Sequence, residues 1–237
     1  VGAFDTIGGI PANGIAKWDG ATWRNVNGFP ALNTPDFNTI SEVINYQSGL
    51  VAVGNFNNET DRKSVVLWDG TDWVDIGGGV DGWLDCAEVY NGDLYVGGYF
   101  MQQDGNAGNF IQRWDGANWR EVGGSVAGPG GNGQVHDLVV MQGNLYAVGT
   151  FSSAGNVPAS KIARFDGTQW CGLGGFFDQR IQTIESIADT LIFAGAFRSL
   201  SGDSSFSSIA KWENTIPDSC AYPLQAPEIT DHHTIKA

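Results

Sequence analysis

The block W-D-G-x-x-W governs what this chain can become. Its first aromatic stands at Trp18, Trp68, Trp114, Phe165 and Trp212, at spacings of 50, 46, 51 and 47 residues. Self-similarity at a period of this size marks a repeat architecture, in which each unit is one supersecondary motif. Upstream of each anchor lies L-x-x-x-G-x-F, at Leu50/Gly54/Phe56, Leu94/Gly98/Phe100, Leu145/Gly149/Phe151 and Leu191/Gly195/Phe197, with Gly2/Phe4 as a first copy cut short. Five residues after the anchor stand Trp23, Trp73, Trp119 and Trp170, each followed by V-N-G, I-G-G, V-G-G or L-G-G. The fifth copy breaks, with Pro217 where the tryptophan belongs.

Each unit parses into four strands, here a to d. A mixed run such as "VHDLVVM" (a) turns at Gln142-Gly143-Asn144 into "LYAVGTF" (b), a polar loop leads to "KIARF" (c), and Asp-Gly folds it back onto "QWCGLGG" (d). Asp-Gly between two apolar runs is a strong hairpin signal, because both residues tolerate the positive φ such turns need. The 34 glycines, 9 tryptophans and 13 phenylalanines, with only 16% charged residues, agree with many tight turns between aromatic-rich strands. No stretch carries the 3.6-residue period of a helical solenoid. The reading is therefore all-β: a β-propeller of four-stranded antiparallel blades in five repeats, the first and last incomplete. It spans residues 1–218, and 219–237 form a tail. Both chain ends are expected to build the closing blade, since an open ring exposes sheet edges. The tail either supplies a strand to that blade or, with prolines 223 and 227, acts as linker.

Within the motif the paired aromatics are expected to pack between neighbouring blades, and the aspartate to cap its own turn. These are scaffold roles. The formal charge of −14 repels a phosphate backbone and argues against nucleic-acid partners. No apolar run approaches the roughly 18 residues that span a bilayer, so no membrane span is expected. Three cysteines, Cys86, Cys171 and Cys220, match no metal-ligand spacing, and their odd number leaves at least one outside any intramolecular bridge. A disulfide between Cys171 and Cys220 would fasten the irregular fifth repeat and suit an oxidising compartment.

A strand ending in V-G-x-F, followed by [IV]-A-x-W-D-G-x-x-W-x-x-[LV]-G-x-G, resembles the kelch-related propeller repeats of large secreted and cell-surface bacterial proteins. Kelch itself places tyrosine before the aspartate and has a longer turn there. The resemblance covers residues 1 to about 216 and carries no catalytic residues across. The tail "PLQAPEITDHHTIKA" is similar to the linker before the sorting domain of Bacteroidota type IX secretion cargo. What the likeness implies is an extracellular or cell-surface location. Asp5-Thr6-Ile7 and Asp189-Thr190-Leu191 match a short O-glycosylation pattern of that phylum, and Asn58-Glu59-Thr60 is an N-glycosylation sequon.

Long, variable b–c and d–a loops, such as "MQQDGNAGN" and "GGGVDGWLD", place any binding site on their side of the sheets. Trp83 falls outside the repeat register, in a d–a loop beside Asp81 and Asp85. It is a candidate platform for a sugar or an anchor for a protein, or else a lid over the core. Strand a of a propeller lines the central channel, and register places Ser41, Asp85, His136 and Gln182 there, then Glu42, Cys86, Asp137 and Thr183. His136 beside Asp137 lacks a nucleophile or metal to serve, and reads as a satisfied channel histidine. No cofactor is implied, although Glu88, Glu185 and Asp137 could share a channel-bound cation. Function stays open between a non-catalytic display module for a glycan or extracellular or outer-membrane protein, a secreted carbohydrate-active enzyme, and a structural subunit of a surface assembly.

Overall fold

The computed structural model describes residues 1–12, 14–26, 39–56, 64–173, 177–204 and 207–213. The chain divides into two compact units, Val1–Glu121 and Val122–Ala237. Both are antiparallel β throughout, and the only helical segments among the described residues are two short 3-10 turns, Gln102–Asp104 and Pro129–Gly131.

The first unit opens with two hairpins, β1 (Thr6–Ile7) with β2 (Ile10–Pro11) and β3 (Ala16–Trp18) with β4 (Trp23–Asn25). Two four-stranded sheets follow in simple meander order. One holds β5 (Thr39–Tyr46), β6 (Gly49–Asn55), β7 (Val65–Trp68) and β8 (Trp73–Asp75), and the other β9 (Gly82–Tyr90), β10 (Asp93–Phe100), β11 (Ile111–Trp114) and β12 (Trp119–Glu121). Strand β6 shows why the b runs are apolar without alternation: Val51 and Val53 enter the core shared with Leu84, Leu94 and Val96, while Ala52 between them joins Ile15, Ile40 and Val66 on the other face. A strand buried on both faces has no solvent side to keep polar.

The second unit contains β13 (Val126–Ala127), β14 (Val135–Met141), β15 (Asn144–Gly149), β16 (Ser153–Ala154), β17 (Val157–Pro158), β18 (Ile162–Phe165), β19 (Trp170–Gly172), β20 (Ile181–Ile187), β21 (Thr190–Gly195) and β22 (Ile209–Glu213). They form a four-stranded sheet β14-β15-β18-β19, a three-stranded sheet β20-β21-β22, and a small sheet β13-β16-β17 made by loops. One core, including Tyr146, Val148, Ile181, Phe193, Phe197 and Trp212, fills it.

Every strand a carries a β-bulge at the same place. The register slips past Ser41, Asp85, His136 and Gln182, leaving each as the extra residue opposite one partner. This explains the repeated glycine of L-x-x-x-G-x-F. A Cβ on Gly54, Gly98, Gly149 or Gly195 would collide with the carbonyl oxygen of Thr39, Trp83, Gln134 or Arg180, the backbone just before the bulge. The residue after the bulge ties one repeat to the next. Ala87 N–H donates to Glu42 Oε2 (2.8 Å), and Ile184 N–H donates to Asp137 Oδ2 (2.9 Å), which also accepts from Thr183 Oγ1 (2.6 Å).

The aromatic pairs stack within each c–d hairpin, and those of the third and fourth repeats hold the seam to the repeat before. Their rings lie 5.4 Å apart in Trp18/Trp23, 5.7 Å in Trp68/Trp73, 5.5 Å in Trp114/Trp119 and 5.1 Å in Phe165/Trp170. Trp119 Nε1–H donates to Ile76 O (3.1 Å), and Trp170 Nε1–H donates to Val122 O (2.9 Å). Each acceptor is the last apolar residue of the preceding strand d. The glycine after it, Gly77 or Gly123, has positive φ and leaves the space in which the next repeat's rings lie. Burial of the pairs is uneven, however: Trp170 is 3% exposed, while Trp18 and Trp23 are 51% and 37% exposed.

The turn aspartates cap as expected. Asp19, Asp69, Asp115 and Asp166 each accept, through Oδ1, the backbone N–H groups two and three residues on, at 2.7–2.9 Å. In the first and third repeats Oδ2 also takes an arginine Nε, Arg24 (2.7 Å) or Arg120 (2.8 Å). These contacts hold the Asp19 and Asp115 carboxyls at about 2.

Candidate binding cleft

The sequence-selected residues scatter. Asp81 ends the d–a loop at the mouth of a cleft of about 500 Å3. Trp83, two residues on, is 52% exposed; it pairs across the strands with Tyr99, 41% exposed, their rings 6.4 Å apart. Tyr99 in turn contacts the buried ring of Phe110 at 6.0 Å. Asp85 is the half-buried bulge residue of β9.

In the second unit His136 occupies the equivalent bulge, and Asp137 turns into the strands as described above. Burial pushes the Asp137 carboxyl upward, against its hydrogen bonds from Thr183, Ile184 and Leu138, and nearby Glu185 adds to the rise. Glu88 and Glu185 each accept the N–H of the residue that follows, Val89 and Ser186. Among the described residues no three His, Cys, Asp or Glu side chains converge on a metal position. Cys171 is disulfide-bonded and Cys86 is a buried thiol. Cys220, the sequon at Asn58, most of loops 27–39 and 57–64, and the tail 219–237 lie outside the described residues.

The cleft itself escaped the sequence. It lies in the first unit, at the seam between the d–a loop Gly77–Asp81, the b–c loop Asp104–Ala107 and the Trp114–Trp119 hairpin. Two amides shape it. Asn106 clasps the loops together: its Oδ1 accepts from Asp81 N–H (3.0 Å), and its Nδ2 donates to Asp81 O (2.8 Å) and Met101 O (3.0 Å). Gln112, on β11, is 1% exposed and holds Ala107 N–H through Oε1 at 2.9 Å. Trp114 and Trp119 are half-buried here, and the Trp119 hydrogen bond to Ile76 fixes the plane of its indole.

The cleft exists because the b–c loop stands off the seam. In the fourth repeat the fourth residue after the strand-b phenylalanine is Gly155, which packs against Gly123 O so closely that an added Cβ would lie 2.5 Å away. Gly8 holds the matching place in the first repeat, and its absent Cβ makes room for Trp23. In the third repeat this position is Asp104, the end of a 3-10 turn, and the glycine comes one residue later, as Gly105 with φ 96°. A side chain there forbids the close approach, and a hollow remains.

The chain matches no protein-family model and resembles no curated protein in sequence.

Proposed function

We propose that the chain is a non-catalytic binding and display module, a β-propeller of kelch-related repeats at the cell surface or secreted, which presents its long loops to a glycan or an extracellular protein. The observation that carries this is the Trp83–Tyr99 pair. Two large aromatics standing exposed side by side next to loops 76–82 and 101–110 make an amphipathic platform on which a sugar or an apolar side chain can stack. Disulfide-bonded Cys171 supports an oxidising compartment. We assign its partner as Cys220, which leaves Cys86 as the single reactive thiol in the denatured, unreduced protein.

The test is a glycan array and a surface-protein pull-down with the whole chain and with Trp83→Ala. Retention that falls at least tenfold in the variant supports the reading; retention unchanged by it removes the platform. A second reading, a secreted carbohydrate-active enzyme, is favoured by one observation: Asp81 and Asp104 both border the cleft, and two carboxylates across a sugar are what hydrolysis needs. Release of reducing ends from polysaccharides, lost in Asp81→Asn and Asp104→Asn, would establish it.

A further inference from the structure

We infer that the seam cleft of the first unit is a site for a neutral pyranoside, one or two sugar rings long, distinct from the Trp83–Tyr99 platform. The inference rests on the binding-module reading for the class of its partner, and on separate residues for its place.

The cleft opens to solvent, and specific bonds fix the loops that border it. Its volume of about 500 Å3 falls within the roughly 300–1,000 Å3 of ligand pockets. At its floor Gln112 is almost wholly buried, yet only half its amide is satisfied. Because Oε1 accepts from Ala107 N–H, the orientation of the group is settled, and Nε2 faces the cleft with two N–H donors that no described residue meets. These donors are open to water in the cleft, and a ligand oxygen that takes the water's place keeps the hydrogen bond while gaining the other contacts of the lining.

The remaining lining selects among ligands. Asp81 and Asp104 supply carboxylate acceptors, Asn118 supplies an amide, and Trp114 and Trp119 supply apolar faces. Among the described residues no Lys or Arg borders the cleft, so those residues offer an anion no counter-charge. Two carboxylates fall short of the six or more oxygens a hard cation takes, and no metal cluster occurs among the described residues. A neutral polyol fits all of these together: its hydroxyls donate to carboxylates and accept from amides, and the C–H face of a pyranose lies against an indole. The indole is pre-oriented, since Trp119 Nε1 is already bonded to Ile76 O (3.1 Å). Little side-chain freedom is then lost on binding.

The experiment titrates the whole chain with methyl glycosides of glucose, galactose, mannose and N-acetylglucosamine. It is followed by tryptophan fluorescence and by saturation-transfer NMR. At least one should bind saturably. Gln112→Glu keeps the acceptor for Ala107 N–H and replaces the donor with a carboxylate, so binding should weaken about tenfold, and the urea midpoint should fall because the new charge is buried. No saturable glycoside with the wild-type chain overturns the inference, as does a Gln112→Glu protein that is folded and binds as well as wild type. Glycan retention that is lost in Trp83→Ala but intact in Gln112→Glu also overturns the cleft, while the binding-module reading stands. Gln112→Leu, which removes both groups, repeats the comparison if the glutamate variant unfolds.

Discussion

The seam before Trp119 and the seam before Trp170 are assembled from the same parts. In both, an indole N–H reaches back to the last apolar residue of the preceding strand d, and in both the turn that follows is closed the same way, by Gly79 N–H to Ile76 O and by Ser125 N–H to Val122 O, each at 2.9 Å. They part at the next layer. In the second unit, Gly155 N–H donates to Ser125 O (2.7 Å), Ser152 N–H donates to Ala127 O (2.8 Å), and β13, β16 and β17 knit into a sheet over the rings. In the first unit the side chain of Asn106 bridges the two loops, and a cleft remains. Backbone pairing seals a seam; side-chain clasping leaves it open to a ligand.

The largest expected effect comes from removing the ring itself. Trp170→Ala, at the sealed seam, should cost about 3–5 kcal/mol in a urea titration. Trp119→Ala, half-buried beside the cleft, should cost roughly 2 kcal/mol by its smaller burial. Equal losses would show that the loop layer adds nothing, and would undo the distinction between the two seams.

Next in size is the transfer of the opening residue. Gly155→Asp puts a Cβ against Gly123 O at a position with φ 54°, and should cost about 2 kcal/mol. It should also raise acrylamide quenching of Trp170. Should quenching stay at the wild-type level, something other than Asp104 holds the first unit's seam apart.

Smallest is the response to acid, where two aspartates move in opposite directions. Asp115, in the hairpin at the open seam, sits at about 2 in the fold against 3.8 for a free side chain, as does Asp19. Its folded value is depressed, so its contribution to stability is whole above the free carboxyl's range and is lost as pH falls through about 2. Asp137, buried, is raised, so its contribution is whole below that range and is lost as pH rises through its own folded value. Carboxyl NMR titration checks both. Asp115 titrating at 3.8 or above, or Asp137 below it, would contradict the hydrogen bonds and burial assigned to them.

Much of the scaffold was legible in the chain. Gly98 and Gly149 announce themselves because a bulge forces bare backbone at one point in every repeat, and Asp115 does because every hairpin needs the same cap. Register counting also found the bulge residues, though as channel positions and not as bulges. The cleft was illegible for the opposite reason. Asn106 and Gln112 act once, in one repeat, and nothing in a single chain distinguishes them from solvent-facing amides. A faint trace did exist: the loop glycine stands four residues after Phe4 and Phe151 but five after Phe100, a spacing shared by Phe197 and Gly202. The uneven burial of Trp23 and Trp170 could not be read either, because identical residues differ only in what the neighbouring loop lays over them.

The two indole hydrogen bonds described above point the same way along the chain, from Trp119 to Ile76 and from Trp170 to Val122. During synthesis this direction matters. A repeat leaving the ribosome meets its docking partner already made, and waits for nothing downstream to anchor its rings. Its own strand-d end then stands ready for the repeat that follows. Growth from the amino terminus can proceed by capture of one unit at a time, and a duplicated unit inserted between two others would find the same acceptor before it and offer the same one after.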